Sequence, residues 1–192
     1  MRILIVGDPI AKLKAKSDSS FFLARAAIEA GHEVHWTLSE KIALFNQEVI
    51  VSAQRVKSAP NSKALVLEKK EKTGFARDFQ SIWIRKDPPF DSAYTTLCWQ
   101  LSLVEKKVLI VNPPSLLLTH HEKLLPLQAI QANFLSKADI LPTLVALSPP
   151  KLKAKDFPSG VVVAKPWLGF GGRSVKKFRN LSVAIRGQKK NR

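Results

Sequence analysis

The chain has 192 residues, of which 45% are hydrophobic and 24% charged, a composition typical of a globular protein with its own core. The formal net charge of +16 is uneven, because residues 173–192 carry eight Lys or Arg and no acidic residue. No apolar run approaches the roughly 18 residues that a membrane span needs, and the start of the chain lacks the features of a secretory signal. The single cysteine, Cys98, excludes an intrachain disulfide and favours a reducing, cytoplasmic location.

Residues 1–115 are predicted to form an α/β domain that begins with a β-α-β unit. Arg2 to Val6 is a short apolar run typical of a buried strand, and Gly7–Asp8–Pro9 ends it. The next segment favours a helix between Phe22 and Ala30, with Gly31 suited to its C-terminal end. Residues 32–38 read as the second strand, and this order predicts a parallel sheet. The candidate N-cap residues of the helix are Ser17, Asp18 and Ser19.

The rest of this domain is predicted from its apolar patterns. Residues 42–56 favour a hairpin that turns at Asn46–Gln47, and residues 57–80 are mixed, charged and predicted to be rich in loops. Ile82 to Ile84 reads as a strand, residues 94–104 show helical spacing of apolar side chains, and residues 108–112 read as a final buried strand.

Residues 116–178 are predicted to form a second unit. Leu127, Ile130 and Phe134 fall on one face of a helix that tolerates Pro126 in its first turn. Strands are predicted at residues 143–147 and 160–166, followed by a glycine-rich turn and a returning strand at residues 174–178. Residues 179–192 are predicted to be a basic, disordered tail.

Charged and polar residues follow three of the predicted strands. Ligands bind at the carboxyl ends of parallel strands, so these residues are candidates for a substrate site. Arg85 and Lys86 are suited to an anionic substrate, but a structural ion pair beneath the rigid Pro88–Pro89 turn fits equally well. Both interpretations stay open at this point. The candidates, with the helix-cap residue Ser19, are Asp8, Ser19, Arg85, Lys86, Asp87 and Asn112.

The glycine-rich turn suits an anion, because glycines let backbone N–H groups approach it and Lys165 adds a nearby positive charge. The glycines are Gly169, Gly171 and Gly172, around Phe170. The spacing matches neither a Walker A loop nor a dinucleotide fingerprint, so a tight hairpin turn is an equally good interpretation. The four histidines show no metal-binding spacing, and we expect neither a metal site nor a catalytic residue from the patterns alone.

Several segments together resemble the bacterial glutathione synthetases of the ATP-grasp superfamily. The most specific is "IRKDPPFD" at residues 84–91, and the resemblance extends from residue 1 to about residue 178. The other segments are "GDPI" at 7–10, "KSDSSFFLARAAIEAGHEVH" at 16–35, "LIVNPPSL" at 109–116, "EKL" at 122–124 and "AKPWLGFGG" at 164–172.

The resemblance implies a Rossmann-like pre-ATP-grasp domain followed by a partial ATP-grasp domain. It implies the substrates γ-glutamylcysteine, glycine and ATP, with Mg²⁺, and a reaction through an acyl phosphate. By motif match, the residues that contact the ATP phosphates are Lys123, Lys165, Gly169, Gly171 and Gly172.

The chain also departs from the family pattern. His121 replaces the asparagine before "EKL", Leu168 replaces an aspartate, and Arg173 replaces a small residue. The last twenty residues contain no acid that could hold Mg²⁺, which prefers carboxylate oxygens. We therefore expect a chain shortened by a frameshift or early stop, with little or no ligase activity alone.

Two further interpretations are weighed against this one. The chain could be a non-catalytic partner or remnant subunit that pairs with another copy or with an intact synthetase. Its charge of +16 also suits a basic nucleic-acid-binding protein, which we rank last because half of the excess charge lies in the tail.

Overall fold

The structure is a computed structural model that describes residues 1–14, 17–58, 65–146, 160–169 and 171–189. The chain divides into two compact units, Met1–His120 and His121–Arg192. The division lies five residues after the domain end predicted at residue 115. Each unit is described by itself.

The first unit contains a seven-stranded sheet with the order β3-β4-β2-β1-β6-β7, in which β5 pairs with β4. Strands β2, β1, β6 and β7 are parallel, whereas β3, β4 and β5 run antiparallel to their partners. The predicted α/β domain with a parallel sheet is therefore confirmed. The strands are β1 (Arg2–Val6), β2 (Glu33–Thr37), β3 (Ile42–Phe45), β4 (Glu48–Ser58), β5 (Leu65–Phe75), β6 (Ser81–Ile84) and β7 (Leu109–Val111).

Helices cover both faces of the central strand. Ile3 and Ile5 pack in one core with Phe21 of α1, while Leu4 and Val6 pack in a second core with side chains of α2. This alternation follows from the two-residue period of a strand, and burial on both faces explains the continuous apolar run of β1. The helices of this unit are α1 (Ser19–Glu29), α2 (Ser92–Ser102) and α3 (Pro114–Thr119).

The turns of the first unit follow local chemistry. Asp18 is the N-cap of α1, and its carboxylate accepts hydrogen bonds from the N–H groups of Ser20 at 2.7 Å and Phe21 at 3.3 Å. Gly31 follows the helix with a φ of +80°, as predicted. Asn46 and Gln47 both have positive φ and connect β3 to β4, which confirms the predicted hairpin.

The prediction of loops at residues 57–80 is wrong for most of that range. The described part contains the end of β4 and the eleven-residue strand β5, and residues 59–64 lie outside the described residues. Composition misled the prediction, because β5 lies at the edge of the sheet, where charged side chains stay in water while the backbone pairs with β4. The Ser52 and Thr73 hydroxyls add a cross-strand hydrogen bond at 2.8 Å.

The second unit contains α4 (Leu125–Gln131), the antiparallel pair β8 (Val162–Ala164) and β9 (Lys176–Phe178), and α5 (Leu181–Lys189). The predicted helix and returning strand are confirmed, but Phe134 lies beyond α4 and is 84% exposed. Residues 143–146 are exposed and form no strand, and none of the described strands pairs with them. Leu147 and Phe170 lie outside the described residues.

The tail is corrected from disordered to helical over Leu181–Lys189, the part that the structure describes. The side-chain oxygen of Asn180 accepts a hydrogen bond from the Val183 N–H at 3.0 Å, as an N-cap residue does. The helix packs on β8 and β9 and buries Ala184. A cap and a packed apolar side favour the helix although the segment is basic.

Candidate functional site

Three parallel strands of the first unit end along the same edge of the sheet. Val6 pairs with Ile84, and Trp83 pairs with Val111, so the residues after β1, β6 and β7 leave the sheet side by side. The backbone N–H of Arg85 also donates to the Val6 carbonyl at 2.7 Å, which extends the pairing by one residue. The edge therefore collects the candidates that follow these strands.

Arg85 connects this edge to the start of α1. Its Nη2 donates to the Ser19 hydroxyl at 2.5 Å, and its Nε donates to the Ser20 hydroxyl at 3.3 Å. The guanidinium has five N–H donors, and these two bonds hold its plane in one orientation. Ser19 was a candidate from the sequence, whereas Ser20 was missed because nothing in its neighbourhood distinguishes it from Ser19.

Asp8 connects the ends of β1 and β6. Its Oδ2 accepts a hydrogen bond from the Asp87 N–H at 2.9 Å, and its Oδ1 lies 3.9 Å from the Lys86 ammonium. The carbonyl of Asp8 accepts a hydrogen bond from the indole Nε1 of Trp36 at 3.0 Å. Asp8 is thus held at both its side chain and its backbone.

A small cavity of about 110 Å³ opens at this edge. Of the sequence candidates, Asp8, Arg85 and Asp87 line it, Ser19 and Lys86 contact lining residues, and Asn112 follows β7 without lining it. Lys12 was missed, although its position just after the first strand could have indicated it. The lining residues are Asp8, Lys12, Leu13, Asp18, Ser20, Arg85 and Asp87.

The cavity carries charges of both signs. Lys12 and Arg85 supply positive charge, and Asp8, Asp18 and Asp87 supply carboxylates. Such a lining matches a small ligand that itself carries both an ammonium and a carboxylate group, because each charge then finds an opposite partner.

Tyr94 of α2 is a neutral phenol close to these charges. Burial raises its pKa to about 12, and the nearby charges of Asp87 and Asp8 add to the increase while Arg85 opposes it. Its ring lies against Phe90, with 4.8 Å between ring centroids. Tyr94 therefore supports the turn after β6 and is not ionised near neutral pH.

The second unit holds the lysine and glycine candidates. The Lys123 ammonium donates to the carbonyls of Trp167 at 2.8 Å and Gly169 at 3.0 Å, so the structure brings Lys123 to the glycine-rich turn. Lys165 follows β8. The hydrogen bond from Lys123 lowers the pKa of Glu122 most, and the positive charge of Lys165 lowers it further. Phosphate binding by these residues stays a prediction.

The glycines of this turn are required by the backbone. A Cβ on Gly169 would lie 2.6 Å from Cγ of Pro166, and Gly171 and Gly172 have φ values of +58° and +73°. No described atom lies within 4 Å of a Cβ built at Gly171 or Gly172, so this part of the turn leaves room for a ligand. The donor set and the space fit a phosphate group.

The described residues form no ready-made Mg²⁺ site. Among residues 1–14, 17–58, 65–146, 160–169 and 171–189, no group of three or more His, Cys, Asp or Glu side chains could hold a metal ion. Hard cations of this kind require several oxygen ligands, so we assign no step to magnesium here. A separate finding is that no described helix is long and apolar enough to cross a membrane.

Comparison with known proteins agrees with these features. The family model of the prokaryotic glutathione synthetase N-terminal domain matches residues 1–117. The glutathione synthetase of Vibrio cholerae is 32% identical over 190 residues, which cover 96% of this chain and 58% of that protein. That of Bradyrhizobium diazoefficiens is 29% identical over 177 residues, covering 91% and 54%.

The chain spans little more than half the length of the curated relatives it matches. The match to the family model covers the whole parallel sheet and the edge with Asp8 and Arg85. Because that match includes more than half of the chain, the chain belongs to the prokaryotic glutathione synthetase family, through its N-terminal domain.

Proposed function

We propose that the first unit binds γ-glutamylcysteine for an ATP-dependent ligation with glycine. The observation that carries this proposal is the cavity between Asp8, Arg85 and the start of α1, at the carboxyl edge of the parallel sheet. The family match and the names of the relatives support the choice of substrate.

The charges of the cavity suit this dipeptide. γ-Glutamylcysteine carries one ammonium and two carboxylate groups. Arg85 and Lys12 are placed to bind a carboxylate, and the carboxylates of Asp8, Asp18 and Asp87 are placed to receive the ammonium. The hydroxyls of Ser19 and Ser20 hold Arg85 ready before the ligand arrives.

We further propose that the second unit is part of an ATP-grasp domain that receives the ATP phosphates. In the proposed reaction, the γ-phosphoryl group passes to the C-terminal carboxylate of the dipeptide and ADP leaves. The glycine amine then attacks the acyl carbon, loses a proton and expels phosphate. Lys123, Lys165 and the backbone of Gly169, Gly171 and Gly172 would offset the phosphate charge.

The proposal includes ATP as a substrate but assigns no residue to Mg²⁺, since the described residues contain no cluster of ligands for it. It also includes a cytoplasmic location, which the single free thiol of Cys98 supports.

Isothermal titration of the 192-residue chain with γ-glutamylcysteine tests the proposal. Arg85→Gln removes the charge that faces the cavity, and we expect it to weaken binding by about 10- to 100-fold, as lost hydrogen bonds to a charged group do. Arg25→Gln is the matched control, because Arg25 lies on α1 but pairs with Glu29 instead of lining the cavity. Equal dissociation constants for the two variants, or no binding by the wild type, would contradict the proposal.

A further inference from the structure

His121 and Trp167 form a stacked pair in the second unit. Their ring centroids lie 3.7 Å apart, with 12° between the ring planes. His121 stands where the resemblance leads us to expect asparagine, so this contact is a feature of the present chain. Trp167 lies three residues after the end of β8 at Ala164, at the start of the glycine-rich turn.

Lys123 holds the same tryptophan by its backbone. The ammonium has three donors, which go to the carbonyls of Trp167 at 2.8 Å and Gly169 at 3.0 Å and to the carboxylate of Glu122 at 2.9 Å. His121 is joined to Lys123 as well, because the imidazole Nδ1 accepts a hydrogen bond from the Lys123 N–H at 3.2 Å.

The three partners of Lys123 differ in how easily a ligand could replace them. The Glu122 side chain is 70% exposed, whereas that of Lys123 is only 18% exposed. Exchange of the Glu122 carboxylate for a phosphate oxygen keeps the charge balance and leaves both carbonyl contacts in place. Because the Glu122 side chain is mostly exposed, it can turn into water when a phosphate oxygen takes its place.

The start of the turn is also fixed from within. The N–H of Gly169 donates to the carbonyl of Pro166 at 3.2 Å, and Gly169 packs so closely on the proline ring that a side chain would not fit. Residues 166–169 therefore form one body, and the stack with His121 and the bonds from Lys123 help to hold this body in place.

We propose that His121 is a positioning residue that acts through Trp167 on the phosphate site. The stack holds the Trp167 and Gly169 carbonyls against the Lys123 ammonium, and these contacts fix the start of the glycine-rich turn, which continues to Gly171 and Gly172, before a phosphate group binds. The inference rests on the proposed role of this turn in binding the phosphates of ATP.

The experiment compares His121→Ala, His121→Asn and His121→Phe in the full chain. The probes are ATP and inorganic triphosphate, each titrated calorimetrically, and amide hydrogen exchange of residues 165–173 without ligand. We expect Ala and Asn to weaken triphosphate binding by about two- to tenfold and to speed exchange, as expected for loss of one aromatic pair. Phe keeps a flat ring that can stack on Trp167 but lacks the Nδ1 acceptor, and we expect the stack alone to restore most of both values.

Two controls separate positioning from a general loss of structure. His120→Ala changes the neighbouring histidine, whose ring bonds only to Thr119 among its described contacts, and is expected to behave as wild type. Binding of γ-glutamylcysteine by the first unit is expected to be unchanged in every variant.

The possible results distinguish failure of this inference from failure of the proposed phosphate site. If the wild type binds triphosphate and His121→Asn binds it equally well with unchanged exchange, the inference is overturned and the proposed phosphate site stands. If the wild type binds no triphosphate, the proposed phosphate site is wrong. The rates of amide hydrogen exchange then test by themselves whether His121 positions the turn. Faster exchange in His121→Ala and His121→Asn but not in His121→Phe then supports positioning of the turn by His121. Equal exchange rates in all variants overturn the inference.

Discussion

The carboxylate of Asp8 accepts a hydrogen bond from the backbone N–H of Asp87 at 2.9 Å, although the two residues are 79 positions apart in the chain. This bond joins the end of β1 to the turn that follows β6, two residues beyond the last contact between the two strands, the bond from the Arg85 N–H to the Val6 carbonyl. The cavity is therefore bounded by a connection that neither strand could make alone.

Replacing Asp8 with Ala tests this connection. We expect the free energy of unfolding to fall by about 0.5–1.5 kcal/mol, because the Asp87 N–H loses its acceptor but is exposed enough to bond to water. Asp8→Asn keeps a side-chain oxygen that can accept the bond, and we expect it to recover most of the loss. Denaturant unfolding measures the free energy of unfolding of both variants. Equal stabilities of Asp8→Ala and the wild type would show that the hydrogen bond contributes nothing.

Gly7→Ala is expected to destabilise the first unit by about 1–3 kcal/mol, the range of an overpacked core. The added Cβ would lie 2.4 Å from Cζ2 of Trp36, and that ring cannot shift freely because its Nε1 donates to the Asp8 carbonyl. Gly74→Ala is the control, since its Cβ would meet only Asp78 at 3.6 Å. Thermal unfolding compares the two, and similar melting temperatures would contradict the close approach at Gly7.

Cys98 is expected to resist thiol reagents in the folded chain. Its side chain is fully buried in α2, and burial raises the pKa of the thiol to about 11, so the reactive thiolate is scarce at pH 8. Labelling with a disulfide reagent at pH 8 is expected to reach one thiol per chain only after denaturation. Rapid labelling of the native protein would contradict the burial.

The contact between His121 and Trp167 is expected to weaken in acid. Burial, and then the charge of Lys123, lower the pKa of His121 below its usual value of 6.5, so the folded second unit favours the neutral ring. The resulting stabilisation is complete above pH 6.5 and is lost as the pH falls from there through the lowered pKa. Protonation also removes the acceptor that the Lys123 N–H uses.

Tryptophan fluorescence between pH 8 and pH 4 measures this titration. The difference between the wild type and Trp167→Phe isolates the emission of Trp167, and we expect its midpoint below pH 6.5. His121→Phe is expected to show no such transition. A midpoint at or above 6.5, or the same transition in His121→Phe, would show that another group titrates.

Local patterns were sufficient for most of the first unit. Continuous apolar runs predicted β1, β6 and β7. β1 is apolar from Ile3 to Val6 because both of its faces are covered, whereas β7 buries Ile110 but leaves Leu109 and Val111 exposed, so the predicted final strand is buried only in part. Gly31 and Asn46 were predicted at turns because glycine and asparagine adopt positive φ more readily than other residues, and Gln47 adopts it as the second residue of the hairpin turn. Alignment of the strand ends followed from the parallel sheet, and it placed Asp8, Arg85 and Asp87 together.

The predictions of secondary structure were wrong where strand pairing or packing against other elements determined the conformation. β5 is rich in charge yet forms a strand because β4 offers a partner, whereas the apolar residues 143–146 form none. The basic segment after Phe178 is helical because Asn180 caps it and β8 and β9 cover one side. Composition could not distinguish these cases, since strand pairing and helix packing depend on the neighbours that the folded chain supplies.

The sequence by itself determined the α/β class of the first unit, the strand ends and the family, because these depend on residue periodicity and on short motifs. Only the tertiary structure decided which side chains meet: Arg85 with Ser19, Asp8 with Asp87, and His121 with Trp167. Hydrogen bonds and stacking act over a few ångströms, so partners separated by tens of residues are selected only when the chain has folded around them.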